Sequence, residues 1–300
     1  MTTIVLAIVA GIAVLLGGSL PWVGLPPIGG LAWSNLRVLP VVPWAIVPMA
    51  VYLWFYWQYI GGRIGSPDNA ATRRENLRAN RLSPDVWAMS IVAGLIGFAA
   101  IMALLAIMAR LVTMPESARI TMPEGMPSST AFLLLVMSSV VAGVTEEAGF
   151  RGYMQGPIER HYGLATAILV NGVMFGLMHF PNFSSRPSSV FMMLPYYVAV
   201  SAVYGGMTWA ANSILPSLAL HASGNVFSLT RYWTTGRPEW EISANVPPLV
   251  WDSGVDAAFA GAAVACIALG SLMAWLCCSV HRMRVAEGEP EEFTTSASRD

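Results

Sequence analysis

The chain has 300 residues, of which 55% are hydrophobic and 11% are charged, whereas a soluble domain carries roughly 25% charged residues. This balance excludes an ordinary soluble enzyme for most of the chain and predicts helices that span a lipid bilayer, because backbone amides in lipid must be hydrogen-bonded within the chain. The net charge of -1, with basic residues scattered over short loops, excludes an extended surface for nucleic acid.

Eight apolar segments, bounded by charges or by proline and glycine, predict an all-α integral membrane bundle of about eight transmembrane helices. They cover about residues 4–24, 38–60, 86–109, 130–150, 164–180, 188–212, 214–230 and 256–280. Four regions follow from this pattern. N-terminal membrane helices occupy 1–129, a core occupies 130–230, an outer loop and the last helix occupy 231–280, and a disordered tail occupies 281–300.

The arginines predict the orientation of the bundle. The connection between the second and third segments is the most basic part of the chain, with Arg63, Arg73, Arg74, Arg78 and Arg81. The positive-inside rule places this connection in the cytoplasm, and threading eight segments from it puts both termini inside and the loops near 115–130 and 232–256 outside. We therefore expect a multi-pass protein of a prokaryotic plasma membrane with both termini in the cytoplasm.

Ionisable side chains are restricted to a few of the apolar segments, and five of the eight have no charged residue in their interior. Because such groups are costly in a membrane, those that occur there indicate a functional site. Glu146 and Glu147 end the fourth segment, and Arg151 follows Glu147 by one helical turn, where it can balance the charge of Glu147. Glu146 is turned about 100° away from Glu147 and is assigned to reaction chemistry.

Two further segments carry the remaining polar candidates. His179 ends the fifth segment, while His221 and Asn225 are four residues apart and share one face of the seventh, for which Ser217 is a further candidate. Taken singly, His221 or Asn225 is better explained as a packing hydrogen bond between helices. Together with the glutamates, however, they predict three helices that converge on one polar pocket within the membrane.

The side chains in this pocket are suited to peptide hydrolysis. A carboxylate with a neutral imidazole can deprotonate water, and a second imidazole with an amide can stabilise an oxyanion. No serine or cysteine is in a comparable setting, and Cys266, Cys277 and Cys278 all fall in the last apolar segment as packing residues. The alternative use of the same atoms is a zinc site with Glu146, His179 and His221 as candidate ligands, although the H-E-x-x-H spacing is missing.

Three motifs in this order, Glu146-Glu147-x-x-x-Arg151, Phe175-x-x-x-His179 and His221-x-x-x-Asn225, resemble the CAAX prenyl protease type II and bacteriocin-processing (CPBP or Abi) family of intramembrane proteases. The resemblance covers about residues 130–230. It implies an intramembrane endopeptidase, often described as a metalloprotease, whose substrate is a membrane-associated peptide or protein, with prenylated CAAX-type chains as one candidate class. It implies three pairs of roles: water activation by Glu146 and His179, oxyanion stabilisation by His221 and Asn225, and support by Glu147 and Arg151. The resemblance leaves open whether zinc is bound.

Two other classes of function are compatible with the composition. A non-catalytic immunity or scaffold protein of the same family would bind a peptide in the same cavity. A transporter or channel would carry polar residues at several depths of the membrane and internal repeats, and the uncharged segments argue against it.

Overall fold

Helices make up most of the described chain. The computed structural model describes residues 2–25, 27–114, 122–179, 188–238, 240–241 and 247–288. The helices are α1 (Thr2–Val23), α2 (Leu31–Val38), α3 (Ile46–Ile60), α4 (Ala70–Leu77), α5 (Pro84–Leu111), α6 (Ser128–Glu146), α7 (Gln155–Met178), α8 (Ser188–Ala211), α9 (Leu215–Thr235), α10 (Val250–Ser253) and α11 (Ala257–Gly288). The π segment (Glu147–Met154) joins α6 to α7, a 3₁₀ turn covers Pro67–Asn69, and β1 (Gly24–Leu25) pairs antiparallel with β2 (Ile28–Gly29). The predicted all-α class is confirmed.

Four helical stretches are long and apolar enough to cross a membrane, namely Thr2–Val23, Pro84–Leu111, Ser128–Met178 and Ala257–Gly288. The chain is therefore a membrane protein. The stretch from Ser128 to Met178 is interrupted at Gly163, whose φ of 81° and ψ of 166° are not helical, and this break falls between the fourth and fifth predicted segments. Helices α3 and α8 lie within two other predicted segments, and α9 covers most of the seventh and continues past it to Thr235, but the count of eight spans stays a prediction.

Two predicted boundaries were wrong. Helix α3 begins at Ile46 and not near residue 38, because Pro40 and Pro43 lie in the intervening stretch and proline cannot continue a helix interior. Helix α11 continues to Gly288, so residues 281–288 are helical and not part of a disordered tail. The rest of the predicted tail, 289–300, lies outside the described residues, as do 115–121, 239 and 242–246 of the predicted outer loops.

The segments predicted to be cytoplasmic lie at one end of the bundle. The backbone N–H of Ile214 donates to the Arg78 carbonyl at 3.0 Å, and the Asn80 amide donates to the Asn212 carbonyl at 2.7 Å. The Ser83 hydroxyl donates to Glu287 near the end of α11 at 2.7 Å. We call this end, formed by 63–83, 212–214 and 281–288, the basic end. Its placement in the cytoplasm stays a prediction.

At the opposite end of α5, Arg110 ties the last described part of the outer loop to the bundle. Its guanidinium donates to the Pro248 carbonyl at 2.6 Å and to the Asp256 carboxylate at 2.7 Å. The indole of Trp251 donates to the Leu111 carbonyl at 2.9 Å. Residues 247–256 are therefore held against the end of α5, which is the arrangement expected of a loop that covers the bundle.

Helix α1 packs directly against the π segment, and two glycines make this contact possible. A Cβ atom added to Gly11 would lie 2.7 Å from the Gly149 carbonyl oxygen, and one added to Gly149 would lie 2.7 Å from the Gly11 carbonyl oxygen. Neither backbone leaves room for a side chain. Gly149, which lies within the first motif, therefore serves the packing of two helices.

We expect Gly11→Val to lower the free energy of unfolding by about 1–3 kcal/mol, because the added methyl groups push α1 away from the π segment. The measurement is the thermal midpoint of the purified protein in detergent. Gly17→Val is the matched control in the same helix, since a Cβ at Gly17 meets nothing within 4 Å. Equal losses in the two variants would contradict the close approach.

Candidate active site

Glu147 and Arg151 form a fully buried ion pair in the π segment. Arg151 Nη1 lies 3.2 Å from Glu147 Oε1, and both side chains are 0% exposed. None of the guanidinium nitrogens makes a hydrogen bond to the part of the chain that the structure describes. The guanidinium instead lies over the rings of Phe175 and Tyr204, 5.1 Å and 5.0 Å from their centroids, where cation–π attraction stabilises its charge.

His221 on α9 lies between the two adjacent glutamates. Its Nδ1 is 2.7 Å from Glu147 Oε1, and its Nε2 is 3.6 Å from Glu146 Oε2. Because an ionised carboxylate only accepts hydrogen bonds, Nδ1 is the protonated donor to Glu147. The sequence predicted that Glu146 and Glu147 point to different neighbours, whereas the structure brings both to one imidazole from opposite ring nitrogens.

The two glutamates differ in exposure. The side chain of Glu147 is 0% exposed, whereas that of Glu146 is 20% exposed. Glu147 is therefore held by Arg151 and His221 inside the bundle, while Glu146 reaches an open cavity. The roles predicted for the two carboxylates, support by Glu147 and reaction by Glu146, stay predictions.

A close approach of α6 and α9 brings His221 within reach of both carboxylates. A Cβ on Gly143 would lie 2.9 Å from the Cβ of Ala222, so the glycine lets the helices come together one turn before Glu147. On its other side, the His221 ring stacks on Tyr204, with centroids 4.9 Å apart and an interplanar angle of 15°. The imidazole is thus fixed by a hydrogen bond and by stacking.

His179 lies at the end of α7 and is oriented by its own helix. Its Nδ1 is 2.8 Å from the Phe175 carbonyl oxygen, so Nδ1 donates and Nε2 is left as an acceptor. The ring packs against Phe175 and Tyr197, with centroid distances of 4.5 Å and 4.9 Å. Residues 180–187, which follow His179, lie outside the described residues.

A cavity of about 450 Å³ brings Glu146, His179, His221 and Asn225 together. Its other walls are mainly apolar side chains of α5, α8 and α9. Leu95, Met102 and Phe227 line the cavity and are also 54%, 44% and 73% exposed. The cavity therefore opens sideways between α5 and α9, toward the space that lipid occupies around a membrane protein.

Some cavity residues were not predicted. Tyr196, Tyr197, Tyr204 and Arg231 all line the cavity. Tyr197 and Tyr204 are seven residues apart on α8 and so share a face, which is the signal that could have identified them. Ser217, by contrast, is buried and bonds to Thr208 and the Ile214 carbonyl.

The predicted zinc ligands do not form a metal site as they stand. Within the described part of the chain, no group of three His, Cys, Asp or Glu residues is arranged to hold a metal ion. His179 and His221 both use Nδ1 in hydrogen bonds to Phe175 and Glu147, so each has only Nε2 left for a metal. Zinc binding by Glu146, His179 and His221 stays a prediction.

Residues 128–227 match the family model described as Type II CAAX prenyl endopeptidase Rce1-like. The match begins at the first residue of α6 and ends two residues after Asn225, so it contains every residue of the three motifs. This match supports the family predicted from these motifs. Neither the comparison with curated proteins nor the comparison with solved structures gave a match.

Proposed function

We propose that this chain, which is of the Type II CAAX prenyl endopeptidase Rce1-like family over residues 128–227, is an intramembrane endopeptidase. Its substrate is a membrane-associated protein or peptide, including prenylated CAAX-type chains. The main support is the position of Glu146. It is the carboxylate in the cavity wall, and His179, His221 and Asn225 line the same cavity.

The proposed reaction is attack by an activated water. Glu146 accepts a proton from the water, whose position is set by Nε2 of His179, and the resulting hydroxide adds to the carbonyl carbon of the peptide. His221, protonated on both ring nitrogens between the two carboxylates, and the amide of Asn225 donate hydrogen bonds to the carbonyl oxygen, which becomes the oxyanion. When the C–N bond breaks, the proton held by Glu146 passes to the departing nitrogen, which restores the carboxylate.

Glu147 and Arg151 act through His221 and do not touch the substrate. The hydrogen bond from Nδ1 to Glu147 holds the ring so that Nε2 faces the cavity, and Arg151 balances the charge of Glu147. A fixed imidazole is what a preorganised site needs, because small errors in position reduce catalysis strongly. The sideways opening between α5 and α9 suits a substrate that reaches the site from the bilayer.

The test is cleavage of a labelled prenylated CAAX-type peptide, and of the same peptide without the prenyl group, by the protein purified in detergent. We expect wild type to cut the prenylated peptide and Glu146→Ala to leave it intact. Peptide binding without cleavage in wild type would instead support the non-catalytic immunity or scaffold alternative. A chelator is added in parallel: loss of cleavage that zinc restores would establish a metal-dependent reaction, and unchanged cleavage would support activation by Glu146 without metal.

A further inference from the structure

A second cavity, of about 490 Å³, is separate from the polar site and lies between α5, α7, α8 and α11. None of the seven residues named in the three motifs lines it, and its walls are almost entirely apolar. Small residues make the groove, with Ala202 and Gly206 on α8 facing Gly270 and Ala274 on α11. We call it the α8–α11 groove.

The α8–α11 groove has the length of one leaflet and is open to the outside of the bundle. On α8 it runs from Ala199 to Trp209, a separation of ten residue steps, or about 15 Å at about 1.5 Å per step. This is half of a hydrocarbon core of roughly 30 Å. Ala274 and Cys278 on the rim are exposed, so an acyl chain from the bilayer can enter the groove from the side.

The groove ends among cationic side chains at the basic end. Trp209, which lines the groove, stacks on His281 with centroids 4.7 Å apart and planes 5° from parallel. Arg284 donates to the Ala210 carbonyl and to His281 Nδ1, each at 3.2 Å. Arg282 lies two residues away and donates to Ser279 at 3.3 Å. The guanidiniums are thus within one helical turn of the end of the groove.

The charges of Arg282 and Arg284 indicate what kind of ligand the end of the groove would bind. Among the described residues neither guanidinium forms an ion pair with a carboxylate, whereas Arg78, Arg110, Arg151 and Arg160 each do. Basic pockets between membrane helices on the cytoplasmic side are typical binding sites for anionic lipid headgroups. An apolar groove that ends in two unpaired arginines is complementary to a molecule with an apolar chain and an anionic head.

We infer that the α8–α11 groove binds an anionic phospholipid. One acyl chain lies against the small residues of α8 and α11, and the phosphate lies at Arg282 and Arg284. The prenyl group of a substrate is a poorer fit, because it has no phosphate for the two arginines and the groove contains none of the motif residues. The site is independent of the proposed peptidase activity and can be tested in a catalytically inactive protein.

The experiment measures binding of phosphatidylglycerol and phosphatidylcholine to the delipidated full-length protein in detergent, by native mass spectrometry and by the thermal midpoint. We expect preferential binding of phosphatidylglycerol, and about 30-fold weaker binding of it in Arg282→Gln/Arg284→Gln, since each arginine contributes to attraction of an anionic head. The matched control is Arg63→Gln/Arg74→Gln, which removes two exposed arginines at the same end that do not line the groove.

A second variant tests the acyl chain. Ala202→Phe fills the groove and should weaken binding of both lipids, while glycerophosphate, which has the head but no chain, should not raise the thermal midpoint. Equal binding of the two lipids, or equal loss in the control pair and the Arg282/Arg284 pair, would overturn the assignment. Stabilisation by glycerophosphate equal to that by phosphatidylglycerol would show a headgroup site without the groove and would also overturn it.

Discussion

Replacing Glu146 by glutamine is expected to lower the rate of peptide cleavage by about 10²–10⁴-fold, the usual contribution of a general base. Glutamine keeps the shape of the side chain but cannot take a proton from water. Glu146 is partly exposed to the cavity, and His221 keeps its bond to Glu147, so we expect the fold and peptide binding to survive. Single-turnover cleavage, with peptide affinity and the thermal midpoint measured on the same preparation, separates the loss of chemistry from a loss of structure.

Glu75→Gln is the control for Glu146→Gln. The Glu75 carboxylate pairs with Arg160, and the two side chains are 64% and 44% exposed, so its removal should leave the cleavage rate unchanged. A wild-type rate in Glu146→Gln would mean that another group activates the water. His179→Gln would then identify that group, because Nε2 of His179 is the remaining acceptor predicted to face the water.

Arg151→Met is expected to destabilise the protein by about 3–5 kcal/mol, because it leaves the carboxylate of Glu147 buried without its cation. Methionine preserves most of the apolar volume and the contacts with Phe175 and Tyr204. The measurement is the free energy of unfolding, or the thermal midpoint, of the protein in detergent. Cleavage should fall as well, because the hydrogen bond that fixes His221 depends on the same carboxylate.

The double variant Glu147→Gln/Arg151→Met provides the decisive comparison. It removes both charges and keeps an amide oxygen that can accept from His221, so it should be more stable than Arg151→Met alone. Arg160→Met is the surface control, and loss of its exposed pair with Glu75 should cost about 0–1 kcal/mol. Equal stability of the single and double variants would show that Arg151 acts through packing alone and not through the charge of Glu147.

Much of the candidate site could be predicted from local patterns. Charged groups are costly inside a membrane, so Glu146, Glu147 and Arg151 indicated a functional region by their presence in an apolar stretch. The spacing of Glu147 and Arg151 predicted their contact, which the structure contains. Helix boundaries were less predictable. The apolar stretch before Ile46 contains prolines, so its hydropathy did not mark the start of α3. Helix α11 continues through polar residues after Cys278, so the end of the apolar stretch did not mark the end of the helix.

The meeting of both glutamates with His221 could not be predicted from the sequence. It depends on the close approach of α6 and α9 at Gly143, and on the π segment that begins at Glu147. The sequence pattern places a residue on a face of its own helix, but it does not say which neighbouring helix that face meets. The contacts of Tyr197 with His179 and of Tyr204 with His221, and the α8–α11 groove, were unpredicted for the same reason.

Composition and spacing by themselves determined that this protein is a helical membrane protein, that its candidate site lies in residues 130–230, and which family it resembles. These properties follow from the free energy of placing each side chain in lipid, which depends on residue type. Only the tertiary structure decided that Glu146 is the carboxylate of the cavity, that Glu147 is buried between Arg151 and His221, and that a separate apolar groove ends at Arg282 and Arg284. Those properties depend on the distances between helices, which are set by packing at a few small residues and not by the hydropathy of any one helix.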